Sequence, residues 1–268
     1  MEYYKGYPLF KLVSEEISSG NASYQIVGSS KFTALTSELA NLRTDVNTCL
    51  PNPLSTSILK YLDDQTVIAL QCTHQATNEI KNLANWGVIV CPKHPGRKRV
   101  SGAFEKFKIE SAWGISPHLV PYDSLHSPSG IVSLAYQMNG INLGAGGFAG
   151  MEGQGLLAGF TSLENNFAEG LVLIWTGYRE EFSIYHLESQ NNQTIEGYAL
   201  AITKNRIGNT NKRTQPELNI SWNKDINGSA LVAPLSLENL FKIPDNFQTD
   251  WTFQIAINVF ANFIPASI

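Results

Sequence analysis

The stretch Ser127-Pro-Ser-Gly-Ile-Val-Ser-Leu-Ala-Tyr-Gln-Met-Asn-Gly140, together with the residues after it as far as Thr176, decides the fold. Ser127 offers an N-cap oxygen, and Pro128 suits the first helical position, where its missing N–H would be unsatisfied anyway. Gly140 can close the helix in a left-handed conformation. Ile131, Leu134, Ala135 and Met138 recur at helical spacing, which predicts an amphipathic helix. Ile141-Asn-Leu143 has room for only a remnant of strand before the loop Gly144-Ala-Gly-Gly-Phe-Ala-Gly150. Met151 to Leu163 is apolar yet carries Gly153, Gly155 and Gly159, each costing about 1 kcal/mol relative to alanine inside a helix. That cost is sensible where another part of the chain must approach closely, so a buried helix is predicted. Gly170-Leu-Val-Leu-Ile-Trp-Thr176 is continuously apolar, the pattern of a strand covered on both faces.

Working outward, Trp86-Gly-Val-Ile-Val-Cys91, stopped by Pro92, has the same character and reads as a buried parallel strand. Before it, Ile58, Leu62, Ile68, Ala69, Cys72, Ala76 and Ile80 recur at helical spacing. Asp63 or Asp64 is placed to cap a helix that starts near Gln65 and runs to about Asn85. Residues 1–53 are rich in Ser, Thr and Asn and define no firm element. Downstream, Tyr198–Thr203 reads as another apolar strand. Beyond Lys204 the composition turns polar, with a strand-like Leu218–Trp222 and a short helix capped by Ser236. In the last segment Phe253, Ile255, Ile257 and Val259 alternate onto one face of a single half-buried strand. Strands and helices alternate, so the class is α/β with a mixed or mostly parallel central sheet covered by helices.

The composition narrows the function. In 268 residues, 43% hydrophobic and 16% charged, there is enough apolar mass for a substantial core. A net charge of -4 supplies no global attraction for nucleic acid or an anionic membrane. Trp251–Ile264 is interrupted by Gln254, Asn258 and Asn262 and falls short of the ~20 apolar residues that cross a bilayer. Met1–Gly6 shows no signal-peptide pattern. Cys49, Cys72 and Cys91 are too few and too far apart for a disulfide framework or a Cys-based metal site. A cytoplasmic protein without a resident metal or cofactor is expected.

The block from Ser116 to Gly177, with its Ser-Pro loop, amphipathic helix, Asn-Gly turn, Gly/Ala loop and glycine-bearing helix, resembles the N-terminal half of the β-ketoacyl synthases of the thiolase-like superfamily. Tyr61-Leu-Asp-Asp-Gln-Thr-Val-Ile-Ala-Leu70 is similar to that family's "D-R-x-x-x-x-A-L" helix. The resemblance covers about Leu54 to Thr203. It implies one thiolase-like domain over 1–268, with 54–203 as the ketosynthase N-terminal-like core and 204–268 as an abbreviated C-terminal portion. In such enzymes a cysteine at the elbow before the buried helix takes the acyl chain, its thiolate stabilised by the helix dipole. Counting back from Gly150 puts that position on Gly147, which has no side chain to acylate. The family also uses two histidines of its C-terminal half, whereas the last histidine here is His186. The resemblance therefore implies a non-condensing partner, like the chain-length-factor subunits or the short ketosynthase-like members of aryl-polyene-type pathways. It would pair with an active ketosynthase, or with itself. Asn142, Gly146, Gly147 and Phe148 are then expected at the interface and pocket, and Arg97, Lys98 and Arg99 are expected to dock an acidic acyl carrier protein.

Two readings from other classes compete. One is an active acyltransferase or hydrolase using Cys91 or a serine of the 124–129 loop near His126, although no G-x-S-x-G elbow is present. The other is a self-associating structural protein of the same fold. His118 and His126 flank Asp123 in one loop, where histidines ordinarily bond the backbone rather than a metal. The glycines from Gly144 to Gly150 do not have dinucleotide-binding spacing.

Overall fold

The structure, a computed structural model, describes residues 20–147, 152–180, 192–204, 215–222, 234–243, 250–256 and 259–266. Its centre is formed by the apolar runs. β2 (Trp86–Pro92) is buried along its whole length, and β4 (Gly170–Tyr178) is buried up to its last residue. These two strands pair in parallel, Trp86 opposite Gly170 through Pro92 opposite Thr176. β3 (Asn142–Gly144) adds in parallel to the other side of β2. β5 (Thr194–Lys204) lies antiparallel to β4, and β1 (Gly20–Leu35) antiparallel to β5. With β6 (Glu217–Trp222), β7 (Trp251–Ala256) and β8 (Val259–Ile264) the sheet is mixed, in the order β3-β2-β4-β5-β1-β6-β8-β7. Among the described residues, the segment after Lys204 extends this one sheet.

Alternation along the central strands supplies a core on each face. Val88, Val90, Val172, Ile174 and Ala199 face one layer, packed by α1 (Leu39–Cys49), α3 (Asp64–Ala76) and α6 (Ser127–Tyr136). Ile89, Cys91, Leu173, Trp175 and Leu200 face the other, packed by α7 (Glu152–Glu164) and by α8 (Leu237–Lys242). The glycines of α7 permit this second layer. A Cβ at Gly155 would run into Cys91 Sγ, one at Gly159 would come within 2.9 Å of Leu173, and one at Gly153 would meet the Ile255 carbonyl of β7. The β6-β8-β7 wing thus reaches round to cover α7.

Five expectations need correction. The helix capped by Asp63 ends at Ala76 rather than near Asn85. Thr77 leaves the helical region at φ -114, ψ 7, with its hydroxyl bonded back to the Thr73 carbonyl at 2.7 Å. In α6, Ser127 is inside the helix rather than its cap, because its N–H bonds the Ser124 carbonyl at 3.1 Å and the helix starts one residue early. That helix closes at Gln137, which adopts φ 55, rather than at Gly140. Gly140 serves a close approach, since a Cβ there would stand 2.7 Å from the Trp86 backbone. The buried face of α6 is Val132, Ala135 and Tyr136, and Leu134 faces outward. The C-terminal alternation belongs to two strands, since Ala256 pairs with Val259 across a two-residue connection. A register shift between Gln254 and Ala256 realigns the pair so that Phe253 faces Ala261, and odd-numbered residues stay inward through the reversal.

The 16-residue β1 was not legible in the sequence, because it is buried through Tyr24, Ile26, Ser30 and Ala34 rather than an apolar run. Ser30 is held by donating to the Cys72 carbonyl at 2.8 Å. Among the described residues, no helix is long and apolar enough to cross a membrane.

The packing of α7 makes a specific prediction. Gly155→Ala gains about 1 kcal/mol of helix propensity but is expected to lose more than that to the Cys91 overlap, for a net destabilisation of about 1–2 kcal/mol. Combining it with Cys91→Ala should recover about 1 kcal/mol relative to the sum of the single changes, read as a double-mutant cycle by urea denaturation.

Candidate functional site

The parallel strands β2 and β4 end in the same direction, and the N-termini of α3 and α7 meet them there, one on each face of the sheet. On the α3 side, Asp63 Oδ2 accepts from Gln65 N at 3.0 Å. The Gln65 side chain donates to the Lys93 carbonyl at 2.9 Å and accepts from Thr176 Oγ1 at 3.0 Å. Tyr178 donates its hydroxyl to Asp64 Oδ2 at 2.9 Å. The acidic helix start is thereby stitched to both strand ends, and carboxylates are favourable at the positive end of a helix.

Nearby, Arg99 pairs with Asp123 at 3.3 Å and donates to the Tyr61 carbonyl at 2.8 Å. Burial, with the charges of Asp64 and Asp123, pushes the Asp63 carboxyl up to about 7, against the pull of the Gln65 N–H and Arg99. Asp123 is pushed up to about 6, chiefly by burial and opposed by Arg99. Burial and the Asp64 and Asp63 charges also hold the Tyr178 hydroxyl protonated well above its ordinary range.

On the α7 side, Trp175 Nε1 donates to the Glu152 carbonyl oxygen at 2.9 Å and fixes the first turn against β4. The Glu152 side chain is buried, 7% exposed, and its Oε2 has no hydrogen-bond partner among the described residues. It lines a cavity of about 550 Å³ with Lys93, Arg179, Leu237, Phe241 and Lys242. A narrow cleft shares Lys93, Glu152 and Leu237 with that cavity and continues past Gly146 and Gly147 to Cys91 and Trp175. Gly146 and Gly147 cross the end of β2 with φ of 85 and 118, and the Gly147 carbonyl accepts from His94 N at 2.8 Å. A second, polar cavity of about 590 Å³ lies at the amino ends of the strands, where Lys204 is bound to Asn166 Oδ1 at 2.9 Å.

The structure brings Gly146 and Gly147 together with Cys91 and Glu152, and leaves the other sequence candidates apart. Gly147 lies in the loop, and the first described helical residue of α7 is Glu152. Phe148 lies outside the described residues. Asn142 stands on β3 at the sheet edge, its Oδ1 buried and without a hydrogen-bond partner among the described residues. Arg97 is exposed at the start of α4 (Arg97–Glu110), Arg99 turns inward to Asp123, and the Lys98 side chain is outside the described set.

The competing nucleophiles are disfavoured by their surroundings. Burial pushes the Cys91 thiol far up, and the charge of Glu152 adds to it; burial likewise pushes Cys72 up to about 12. Both stay protonated at neutral pH. Ser129 is fully buried, within 3.2 Å of His126 Nδ1, and donates its hydroxyl to the His126 carbonyl at 2.9 Å. His118 stacks on Tyr61 with ring centroids 4.2 Å apart. Among the described residues no group of three or more His, Cys, Asp or Glu side chains is placed to hold a metal ion. The sequence reading missed Glu152 as a site residue, although an acidic residue opening a glycine-rich buried helix was a usable signal.

A mixed sheet layered by helices on both faces, with two helix N-termini at the ends of its parallel strands, defines an α/β protein whose site lies at the carboxyl edge of the sheet. That architecture is the thiolase-like fold of ketosynthases and chain length factors. The complex of the ketosynthase ApeO with its chain length factor ApeC from Xenorhabdus doucetiae matches at TM-score 0.52 and 12% identity, over 91% of this chain and 97% of that one. The ishigamide ketosynthase/chain length factor matches at TM-score 0.50 and 10% identity, over 75% of this chain and 65% of that one. A type II polyketide synthase acyl-carrier protein in complex with its ketosynthase, AntDE:AntF, matches at TM-score 0.50 and 10% identity, covering 68% and 62%. The chain thus spans less than two thirds of the length of the last two. No protein-family model and no curated protein matches the sequence.

The raised Asp63 sets a pH prediction. An acid whose folded pKa lies above its unfolded value near 3.8 binds more protons when folded, so its contribution to stability falls as pH rises from about 4 to about 7. Asp63→Asn keeps an N-cap acceptor and removes the buried charge. It is expected to stabilise the protein by about 2 kcal/mol at pH 8 and to flatten the stability profile between those pH values, measured by chemical denaturation across pH.

Proposed function

We propose that this chain is a non-condensing, chain-length-factor-type subunit that pairs with an active ketosynthase in polyketide or fatty-acid-like biosynthesis. The observation that carries the reading is an unpartnered surface along the β3 edge. Among the described residues β3 ends the sheet and pairs only with β2, with Leu143 exposed upon it. The Leu125–His126 backbone packs against Gly144, joining this edge to α5 (Leu119–Asp123) and α4. α4 has no buried residue among those described, and its main contacts are the 3-10 turn Ser111–Gly114 and α5. Phe104, Phe107, Ile109, Trp113 at 96% exposure, and Val120 are open to solvent there. Exposed apolar side chains on these elements and an open edge strand call for another chain, and in the Xenorhabdus structure a ketosynthase is in complex with its chain length factor.

Catalytic silence is supported by the surroundings of Cys91 and Cys72, both buried and protonated. The pocket of the pair would be shaped by Gly146, Gly147 and Phe148. A carrier protein would approach the basic turn, where Arg97 is free of the ion pair that occupies Arg99. A self-associating homodimer through the same surface is the second reading, and it is separated by the same experiment.

Co-expression with a ketosynthase should yield a 1:1 complex by light scattering. Phe107→Asp, Phe148→Asp or Asn142→Arg should weaken it by about 30-fold or more, the scale of a central interface residue. Unchanged association in all three variants would remove the reading, and a complex of two copies without ketosynthase would favour the homodimer. Incubation with acyl-carrier thioesters is expected to leave the intact mass unchanged, while Arg97→Glu lowers carrier affinity several-fold at low salt. An adduct lost in Cys91→Ala would make the protein an acyltransferase instead.

A further inference from the structure

The cavity of about 590 Å³ at the amino ends of β2 and β4 has its shape fixed by backbone bonds between the segments that line it. Asn139 N and Gly140 N, in the turn before β3, donate to the Ala84 and Trp86 carbonyls at 2.9 and 3.0 Å. Glu169 N, in the turn before β4, donates to the Asn85 carbonyl at 3.0 Å. That second turn also ends α7, with Asn166 at φ 56. There Asn166 N bonds the Leu163 carbonyl at 3.0 Å, and Phe167 N bonds the Ser162 carbonyl at 2.9 Å. In a helix ending of this kind, an apolar residue at the position of Phe167 commonly packs back onto the helix. Phe167 instead is 60% exposed and lines the cavity, so an aromatic ring is held outward on a firmly bonded turn.

The polar side chains beside that ring are accessible and uncommitted. Asn85, Asn139 and Glu169 are exposed, and among the described residues none of the three engages its side chain in a hydrogen bond or ion pair. Lys204 donates to Asn166 Oδ1 at 2.9 Å. One basic and one acidic side chain line the cavity, so its wall has no net charge and selects neither a cation nor an anion. Carboxamides offer a donor and an acceptor side by side, which matches a hydroxyl group, since that group donates and accepts at once.

We infer that this cavity binds a neutral, hydroxyl-rich ring of the pyranose class, its C–H face on the Phe167 ring and its hydroxyls bonded to Asn85, Asn139 and Glu169. A sugar of one or two rings suits a volume of this size. A nucleobase could use the same aromatic ring, but it presents its donors and acceptors in one plane. The free polar groups here come from three separate segments, those before β2, β3 and β4, which suits hydroxyls projecting in several directions. The inference goes beyond the pairing with a ketosynthase, and Phe107 and Asn142 do not line this cavity, so either reading can fail without the other.

The test titrates the full chain, without ketosynthase, with cellobiose and with adenosine at pH 7, followed by calorimetry and saturation-transfer NMR. Cellobiose is chosen because its β-linked glucose rings carry axial C–H groups on both faces. It is expected to bind in the millimolar range, with saturation of the protein's aromatic protons reaching the C–H protons of the sugar. Phe167→Ala should weaken cellobiose at least about tenfold and Phe167→Tyr should retain it, while Asn139→Ala and Glu169→Gln each weaken it several-fold. The three side chains are exposed, so these variants leave the core intact. No cellobiose binding at about 20 mM would overturn the inference, as would an affinity unchanged in Phe167→Ala or in both polar variants. Tighter binding of adenosine than of cellobiose would also overturn it and assign the cavity to a base.

Discussion

The close approach of α7 to β2 and β4 is the constraint on which the rest of the molecule depends. Three glycines let the helix axis sit where Cys91, Leu173 and the Ile255 carbonyl leave no room for a Cβ. Because the helix is that close, Trp175 can reach the Glu152 carbonyl, and the first turn of α7 is pinned at the strand ends. The same proximity draws β7 round over the helix, so that the C-terminal strands share one core with the central sheet. The cost in helix propensity, about 1 kcal/mol per glycine, is offset by close packing of large side chains on both sides of the helix.

The two ends of the parallel strands are therefore unlike. At the carboxyl end, α3 and α7 both point their N-termini at the sheet edge, and acidic residues gather there. On one face they are tied into a network through Gln65, Thr176 and Tyr178. On the other, Glu152 faces a cavity with one oxygen unsatisfied among the described residues. Burial first, and the Glu152 charge second, drive Cys91 away from its thiolate, the reverse of what nucleophilic catalysis needs.

The sheet's outer boundary is of a different character. β3 is three residues long and ends the sheet, and α4 carries its aromatic residues outward with no sheet beneath them. A lone chain gains nothing by ordering Phe104, Phe107 and Trp113 against water. The cavity and the proposed association surface sit on separate elements, so one can be altered while the other is left intact.

Local chemistry along the chain dictated the parts whose environment is uniform. β2 and β4, buried on both faces, had to be apolar at every position, and the glycines of α7 announced a close neighbour before the neighbour was known. Asp63 as a cap and Ser236 as a cap were equally local, since each bonds a backbone N–H two or three residues on. Packing between distant segments decided the rest. β1 is a central strand because partners on both sides satisfy its backbone and Cys72 satisfies Ser30, facts that its polar composition hides. The C-terminal hairpin was masked by a register shift that preserved the alternation through the turn. Which face of α6 is buried depends on where other elements approach. Such choices rest on contacts between residues far apart in the chain, and no local pattern encodes them.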